Sequence, residues 1–222
     1  DDPATPDDEN QIMRTRILAA IQHWRDRTGM EFEERSGGQR VVFRDADGCS
    51  SAVGRRDFTG IDPQHINLST GCGFGAVVHE IGHAVGLWHE QSRSDRDDFV
   101  DVDDQNARDG TRHNFQIQTG QGRDVGPYDY GSIMHYGCWA FSMTGARTVT
   151  PLDPSVFCWS DPLPPGPFIG QRSGLSEGDV LGVYTLYPPA YEIAGATAGE
   201  SASAFELSVA FSTEPVHDDY VV

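Results

Sequence analysis

His79-Glu80-Ile81-Gly82-His83-Ala84-Val85-Gly86-Leu87-Trp88-His89-Glu90 sets three imidazoles and two carboxylates in twelve residues, and few chain paths can satisfy that spacing. A helix turns once in 3.6 residues, so His79 and His83, at i and i+4, project from one face, with Glu80 beside them. If the helix ran on, His89 would lie roughly 15 Å along the axis from His79, too far for a shared centre. The chain must therefore turn back. Gly86 allows it, because glycine enters the left-handed region at little steric cost and commonly ends helices. The spacing predicts a helix, a glycine turn and a returning third histidine.

Packing accounts for Val77, Val78, Ile81, Ala84 and Val85, but not for two histidines and a glutamate among them, since buried ionisable groups need partners. At this chain's own usage HExxH arises by chance about once in seventy such chains; requiring Gly86 and His89 lowers that to about one in seventeen thousand. The pattern therefore reads as a metal site. Three histidines leave one tetrahedral zinc position open, as in catalytic sites, whereas structural zinc is closed by four protein ligands. One Zn2+ ion on His79, His83 and His89 is expected, with Glu80 placed to move a proton.

At 222 residues and 24.3 kDa the chain suits one sizeable domain, or a domain plus an appendage. No apolar run approaches the ~20 residues of a membrane helix, so a soluble chain without a membrane partner is expected. It opens Asp1-Asp2-Pro3 with no basic-then-apolar segment, so any targeting peptide is expected to lie outside it. A net charge of −18 disfavours nucleic acid and anionic lipid as partners. All 16 basic residues are arginine, a bias that points to a salt-rich habitat or a GC-rich genome. Cys49, Cys72, Cys138 and Cys158 allow three full pairings; none forms CxxC and the zinc reading needs none. Disulfides of a secreted protein are the preferred reading, with four buried thiols the alternative.

Thr5 as N-cap and Pro6 at the first helical position open a helix whose Met13, Ile17, Ile21 and Trp24 recur at helical spacing, with Gly29 just past its end. Its His23 reads as a surface or packing residue. Glu31 to Arg35, Arg40 to Arg44 and His65 to Ser69 read as short strands, with turns at Gly37-Gly38 and Asp47-Gly48. His65 has no ligand spacing to the motif. The acidic run Asp95 to Asp104 lacks the EF-hand pattern and reads as a solvated loop paired locally with Arg93 and Arg96. Residues 120–170 read as irregular. Ser176 with Asp179 predicts a capping box before a helix carrying Val180, Leu181, Val183, Tyr184 and Tyr187, stopped by Pro188-Pro189. Residues 191–222 carry six acids and no Lys or Arg, with a strand-like segment near Phe205 to Phe211; they read as a tail or the start of a further domain. No internal repeat is found.

The twelve-residue motif resembles that of the metzincin zinc peptidases. Glu90 followed by Gln91-Ser92-Arg93-Ser94-Asp95-Arg96-Asp97 resembles the astacin family in particular. Ser132-Ile133-Met134-His135-Tyr136-Gly137 resembles that family's Met-turn, and Ile169-Gly170-Gln171-Arg172 through Leu175-Ser176 to Leu186-Tyr187 resembles the end of its catalytic domain. Three matches in order span most of residues 10–187.

The resemblance implies an α+β metzincin-type fold: an upper subdomain of twisted mixed sheet plus two helices, and an irregular lower subdomain with the Met-turn and a C-terminal helix. Residues 1–190 would form the catalytic domain of a secreted, monomeric and microbial zinc endopeptidase acting on proteins or peptides. His79, His83 and His89 would bind zinc, Glu80 would be general base and acid, and Tyr136 a displaceable further ligand that stabilises the oxyanion. Met134 would form the floor, and Glu90 would belong to the network that receives a processed N-terminus. The resemblance pairs Cys49 with Cys72 and leaves Cys138 and Cys158 as an added local bridge. It also implies a preference for acidic residues just after the cut, for which Arg147 and Arg172 are considered and neither is assigned. The family's long-range disulfide is absent, since Thr28-Gly29-Met30 carries no cysteine, and with about five residues ahead of Pro6 no counterpart is expected here for the strand before the first helix. A catalytically silent zinc-containing binding or adhesion module is the main rival, and a zinc enzyme of non-peptide amides or esters a second; survival of Glu80 and Tyr136 argues against the first.

Overall fold

The computed structural model describes residues 6–56, 63–159, 166–188 and 220–221. The first helix, α1, spans Pro6–Thr28; Thr5, the expected N-cap, lies outside the described residues. Trp24 and Ala20 are fully buried, and Met13, Ile17 and Ile21 pack beside them on the predicted face. The helix stops where expected. The Thr28 hydroxyl donates to the Trp24 carbonyl at 2.6 Å, and Gly29 takes φ +70°.

Three strands follow, β1 at Val41–Asp45, β2 at Cys49–Ser51 and β3 at Gln64–Leu68. β3 is central, parallel to β1 and antiparallel to β2. Two of the expected strands are thus present, and the turn between β1 and β2 has Gly48 at φ +75°. Glu31 to Arg35 is not a strand. Its Phe32 carbonyl accepts from the Arg25 guanidinium at 2.6 Å and its ring packs into the core, so side chains hold this segment without a ladder. β2, which no sequence signal marked, is imposed by pairing with β3 and by the Cys49–Cys72 bridge.

Alternation along β3 buries Ile66 and Leu68, in one core with the second helix, α2, at Phe74–Val85. Ten of the twelve residues of α2 are buried, so this helix is the centre of the molecule. The Trp24 indole N–H donates to the Val78 carbonyl at 3.1 Å and locks α1 across it.

Below α2 the chain is irregular, as expected. Short strands β4 (Val100–Val102) and β6 (Val149–Pro151) pair antiparallel. Parallel pairs form between β5 (Gly122–Arg123) and β9 (Tyr220–Val221) and between β7 (Phe157–Cys158) and β8 (Phe168–Ile169). A second core gathers Val100, Phe115, Tyr128, Val149 and Ile169 around the Cys138–Cys158 bridge; all four cysteines are paired as the resemblance implied. The acidic run is exposed or half-buried over most of its length and paired locally as expected, Arg96 with Asp97 at 3.1 Å, but it is not solvated throughout. Val100 is buried there, and Arg93 is only 2% exposed, held by Asp95 at 2.8 Å and by the carbonyls of Val125 and Gly126, because its guanidinium bridges two loops rather than one.

The last helix, α3, spans Glu177–Leu186 and carries the expected capping box. Leu175, Val180 and Val183 join the upper core while Leu181 and Tyr184 face outward. The Tyr187 hydroxyl donates to the Val85 carbonyl at 2.8 Å, tying the ends of α2 and α3 together. The segment from Phe205 to Phe211 and the boundary near residue 190 lie outside the described residues. Among those described, no helix is long and apolar enough to cross a membrane.

Candidate active site

α2 ends as its sequence demands. Gly86 takes φ +124°, its N–H meets the carbonyls of Gly82 and His83, and the Leu87 N–H returns to Gly82 at 2.9 Å. That reversal brings His89 back over the helix. The His89 Nε2 lies 3.3 Å from the Nε2 of His79 and 3.0 Å from that of His83.

The histidines are aimed by main-chain carbonyls. The His79 Nδ1–H donates to Ile133 and the His83 Nδ1–H to Leu87, each at 2.8 Å. With those protons committed, both Nε2 atoms present lone pairs. Lone pairs converging so closely repel unless a cation lies between them. Zinc–nitrogen bonds of ~2.0–2.1 Å in tetrahedral geometry set ligand nitrogens ~3.3 Å apart, so the separations fit that ion. His79, His83 and His89 can hold one metal ion together, and among the described residues they form the one such cluster of three or more His, Cys, Asp or Glu side chains. Burial, then neighbouring imidazole and Arg172 charge, holds His79 well below the usual histidine range; burial takes His83 to about 4. His89 is lowered in the same way. All three stay neutral near pH 7, as ligands must be.

Glu80 is 5% exposed and its Oε2 has no hydrogen-bond partner. Burial pushes its carboxyl up to about 8 against the Arg172 charge and the Ser51 amide. Tyr136 stands with its ring centroid 4.3 Å from that of His89; burial and then the Glu80 charge raise its phenol. The structure thus brings together all five residues singled out from the sequence.

Met134 lies against α2 at Gly82. A Cβ at Gly82 would come within 2.7 Å of its Sδ, so this approach requires glycine. Glu90 is buried beside a cavity of about 20 Å³ that it lines with Leu87, Trp88, Asp129 and Asp179, room for one water-sized group. Its Oε1 accepts from the Asp129 N–H at 2.7 Å, and burial pushes the carboxyl up to about 8. His23 is a packing residue, its Nε2 accepting from the Leu175 N–H at 2.9 Å. Arg147 lies over the Trp139 ring.

Supports that sequence reasoning missed sit one layer out. Asp179, read only as a helix cap, accepts from the Ser132 hydroxyl at 2.6 Å and from the Ile133 N–H at 2.9 Å as well as from Ser176. The Ile133 carbonyl that orients His79 also accepts from Arg172 at 3.1 Å. Gln91 is fully buried, its Oε1 accepting the Tyr136 N–H at 2.9 Å. No spacing in the sequence marks them, since each acts on a residue about forty or more positions away.

Residues 5–188 match the peptidase family described as Astacin. The chain is 40% identical over 176 residues to Blastula protease 10 of Paracentrotus lividus, covering 74% of this chain and 27% of that protein. It is 37% identical over 180 residues to Astacin-like metalloprotease toxin 1 of Loxosceles intermedia, covering 78% and 64%. Among solved structures it is similar to High choriolytic enzyme 1, a hatching enzyme zinc-protease from Oryzias latipes (medaka fish), with a TM-score of 0.63 and 32% identity over 78% of this chain and 82% of that one. The chain spans about a quarter of the length of Blastula protease 10.

Proposed function

The chain belongs to the astacin family of zinc metalloendopeptidases, and from that premise we propose that it hydrolyses internal peptide bonds of extracellular protein substrates, with Glu80 as general base and acid and Tyr136 as oxyanion donor. The convergence of three Nε2 atoms, together with a buried Glu80 whose Oε2 is unpartnered, carries this reading. A buried carboxylate oxygen without a donor is destabilising, by about 1–3 kcal/mol, and a purely structural zinc site gives no reason to keep one. That weighs against the silent binding module.

His79, His83 and His89 would hold the zinc ion, with Tyr136 as a further, displaceable ligand. When bound, zinc supplies a Lewis acid that acidifies water, polarises a peptide carbonyl and favours the ionised form of an adjacent carboxylate. Glu80 accepts a proton from the attacking water at its free Oε2 and passes it to the nitrogen of the leaving amine. The Tyr136 phenol donates to the oxyanion that develops on the scissile carbonyl. Asp179, through Ile133, keeps His79 in the tautomer that presents Nε2. Two disulfides and no free thiol suit an oxidising, extracellular compartment.

Glu80→Gln tests the assignment. The variant should keep one zinc per chain and a native melting curve while losing at least ~10²-fold in turnover of a peptide library; retained turnover would remove Glu80 from the role. Chelation of the wild type should abolish cleavage, and added zinc should restore it.

A further inference from the structure

We propose that Phe141 is a positioning residue for Tyr136, its ring limiting the rotation of the phenol and its backbone held in a strained conformation for that purpose. The inference rests on the oxyanion role of Tyr136.

The main chain of Tyr136 is pinned. Its N–H is taken by the buried Gln91 carboxamide and its carbonyl accepts the His135 Nδ1–H at 2.7 Å. Movement of the phenol is therefore rotation of the side chain, bounded by its neighbours. Besides His89 these are Phe141, with centroids 5.5 Å apart at 63°, and Phe115, 5.7 Å away at 79°. The two phenylalanines also meet each other edge to face at 6.2 Å.

Phe115 packs as an ordinary buried residue. Phe141 does not. At φ +55° it is the one non-glycine residue with positive φ among those described, and a bulky side chain there is an outlier. Glycine would take this turn without strain, so nothing in the turn itself calls for phenylalanine. The conformation persists because its surroundings over-determine it: the Phe141 carbonyl accepts from Arg108 at 2.9 Å, Ser142 N–H donates to Trp139 at 3.0 Å, and Met143 N–H donates to Asn106 at 2.9 Å. The Arg108 guanidinium lies 6.0 Å from the ring. What the ring gains from this placement is contact with Phe115 and Tyr136.

The test is a double-mutant cycle of Phe141→Ala and Tyr136→Phe, read as kcat and KM separately and as the phenolate-to-metal charge-transfer band of the copper(II)-loaded protein. Phe141→Ala should lower kcat about 3- to 10-fold at nearly constant KM, the size of one aromatic pair, weaken the charge-transfer band and keep full metal content. In the Tyr136→Phe background it should change kcat no further. Phe141→Tyr should restore the wild-type rate. If Phe141→Ala lowers kcat equally in both backgrounds, or in neither, the proposal is overturned while Tyr136 keeps its role. If Tyr136→Phe alone leaves kcat unchanged, the oxyanion role fails and this proposal with it. Should Phe141→Ala not fold, Phe141→Gly removes the ring and the strain together and carries the same cycle.

Discussion

Removing the Asp179 carboxylate should loosen both the Met-turn and the metal centre, and the size of the effect follows from its partners. The group is 5% exposed, and its Oδ1 accepts from the Ser132 hydroxyl while its Oδ2 accepts from the N–H groups of Ile133 and Ser176. Hydrogen bonds to a charged acceptor contribute about 1.5–3 kcal/mol each, so three give a gross loss of about 4.5–9 kcal/mol in Asp179→Ala. Relief of the desolvation that raises the carboxyl offsets part of this, leaving a net loss of about 3 kcal/mol. For a catalytic domain of this size that lowers Tm by about 6–12 °C. Asp179→Asn keeps one oxygen for the two amides and mismatches only Ser132, so its loss should be about 1–2 kcal/mol. Because Ile133 also aims His79, zinc affinity in Asp179→Ala should fall about 10- to 100-fold. Calorimetric melts of the zinc-loaded proteins and competition against a chelator of known affinity measure both. Equal losses in the two variants, or an unchanged zinc affinity in Asp179→Ala, would refute the chain of contacts from α3 to His79.

Gly75→Ala places a Cβ 1.9 Å from the Arg172 carbonyl oxygen, whereas Gly37→Ala meets nothing within 4 Å. The obstacle is main chain and cannot swing aside, so Gly75→Ala should destabilise by about 3 kcal/mol and Gly37→Ala by less than about 0.5; denaturant midpoints of the pair decide it. His23 is lowered by burial and then by the Arg27 charge, with Asp26 opposing. Its folded pKa lies below its unfolded value of 6.5, so its contribution is complete above pH 6.5 and declines as pH falls below it. His23→Gln, which can still accept the Leu175 N–H, should flatten the fall in denaturation midpoint between about pH 7 and pH 5; an unchanged pH profile would show that the imidazole titrates freely.

The parts of this molecule legible in its sequence are those fixed within about ten residues along the chain. His79, Gly86 and His89 specify a helix, a stop and a return whatever surrounds them, because period and backbone freedom are local. The capping box of Ser176 and Asp179 is local in the same sense. Glu31 to Arg35 misled because alternation predicts a face to bury, which Phe32 does bury, but cannot supply a neighbouring strand. β2 escaped notice for the opposite reason: Cys49–Ser51 has little strand character and is recruited by β3. The groups that turn ligands into a site act at much longer range. His79 reaches Ile133 across 54 positions, Asp179 reaches Ile133 across 46, and Gln91 reaches Tyr136 across 45. Such bonds leave no spacing to read, so Asp179 looks like a cap, Gln91 like filler, and Arg93 like a surface partner of the acids that follow it. Tyr136 was found only because the Met-turn resembles a known one. Phe141 carries no mark at all, since its sign is a backbone angle. The histidine spacing is thus legible as a demand for a metal, while the polar layer that meets the demand becomes visible only when α2, the Met-turn and the start of α3 are packed against one another.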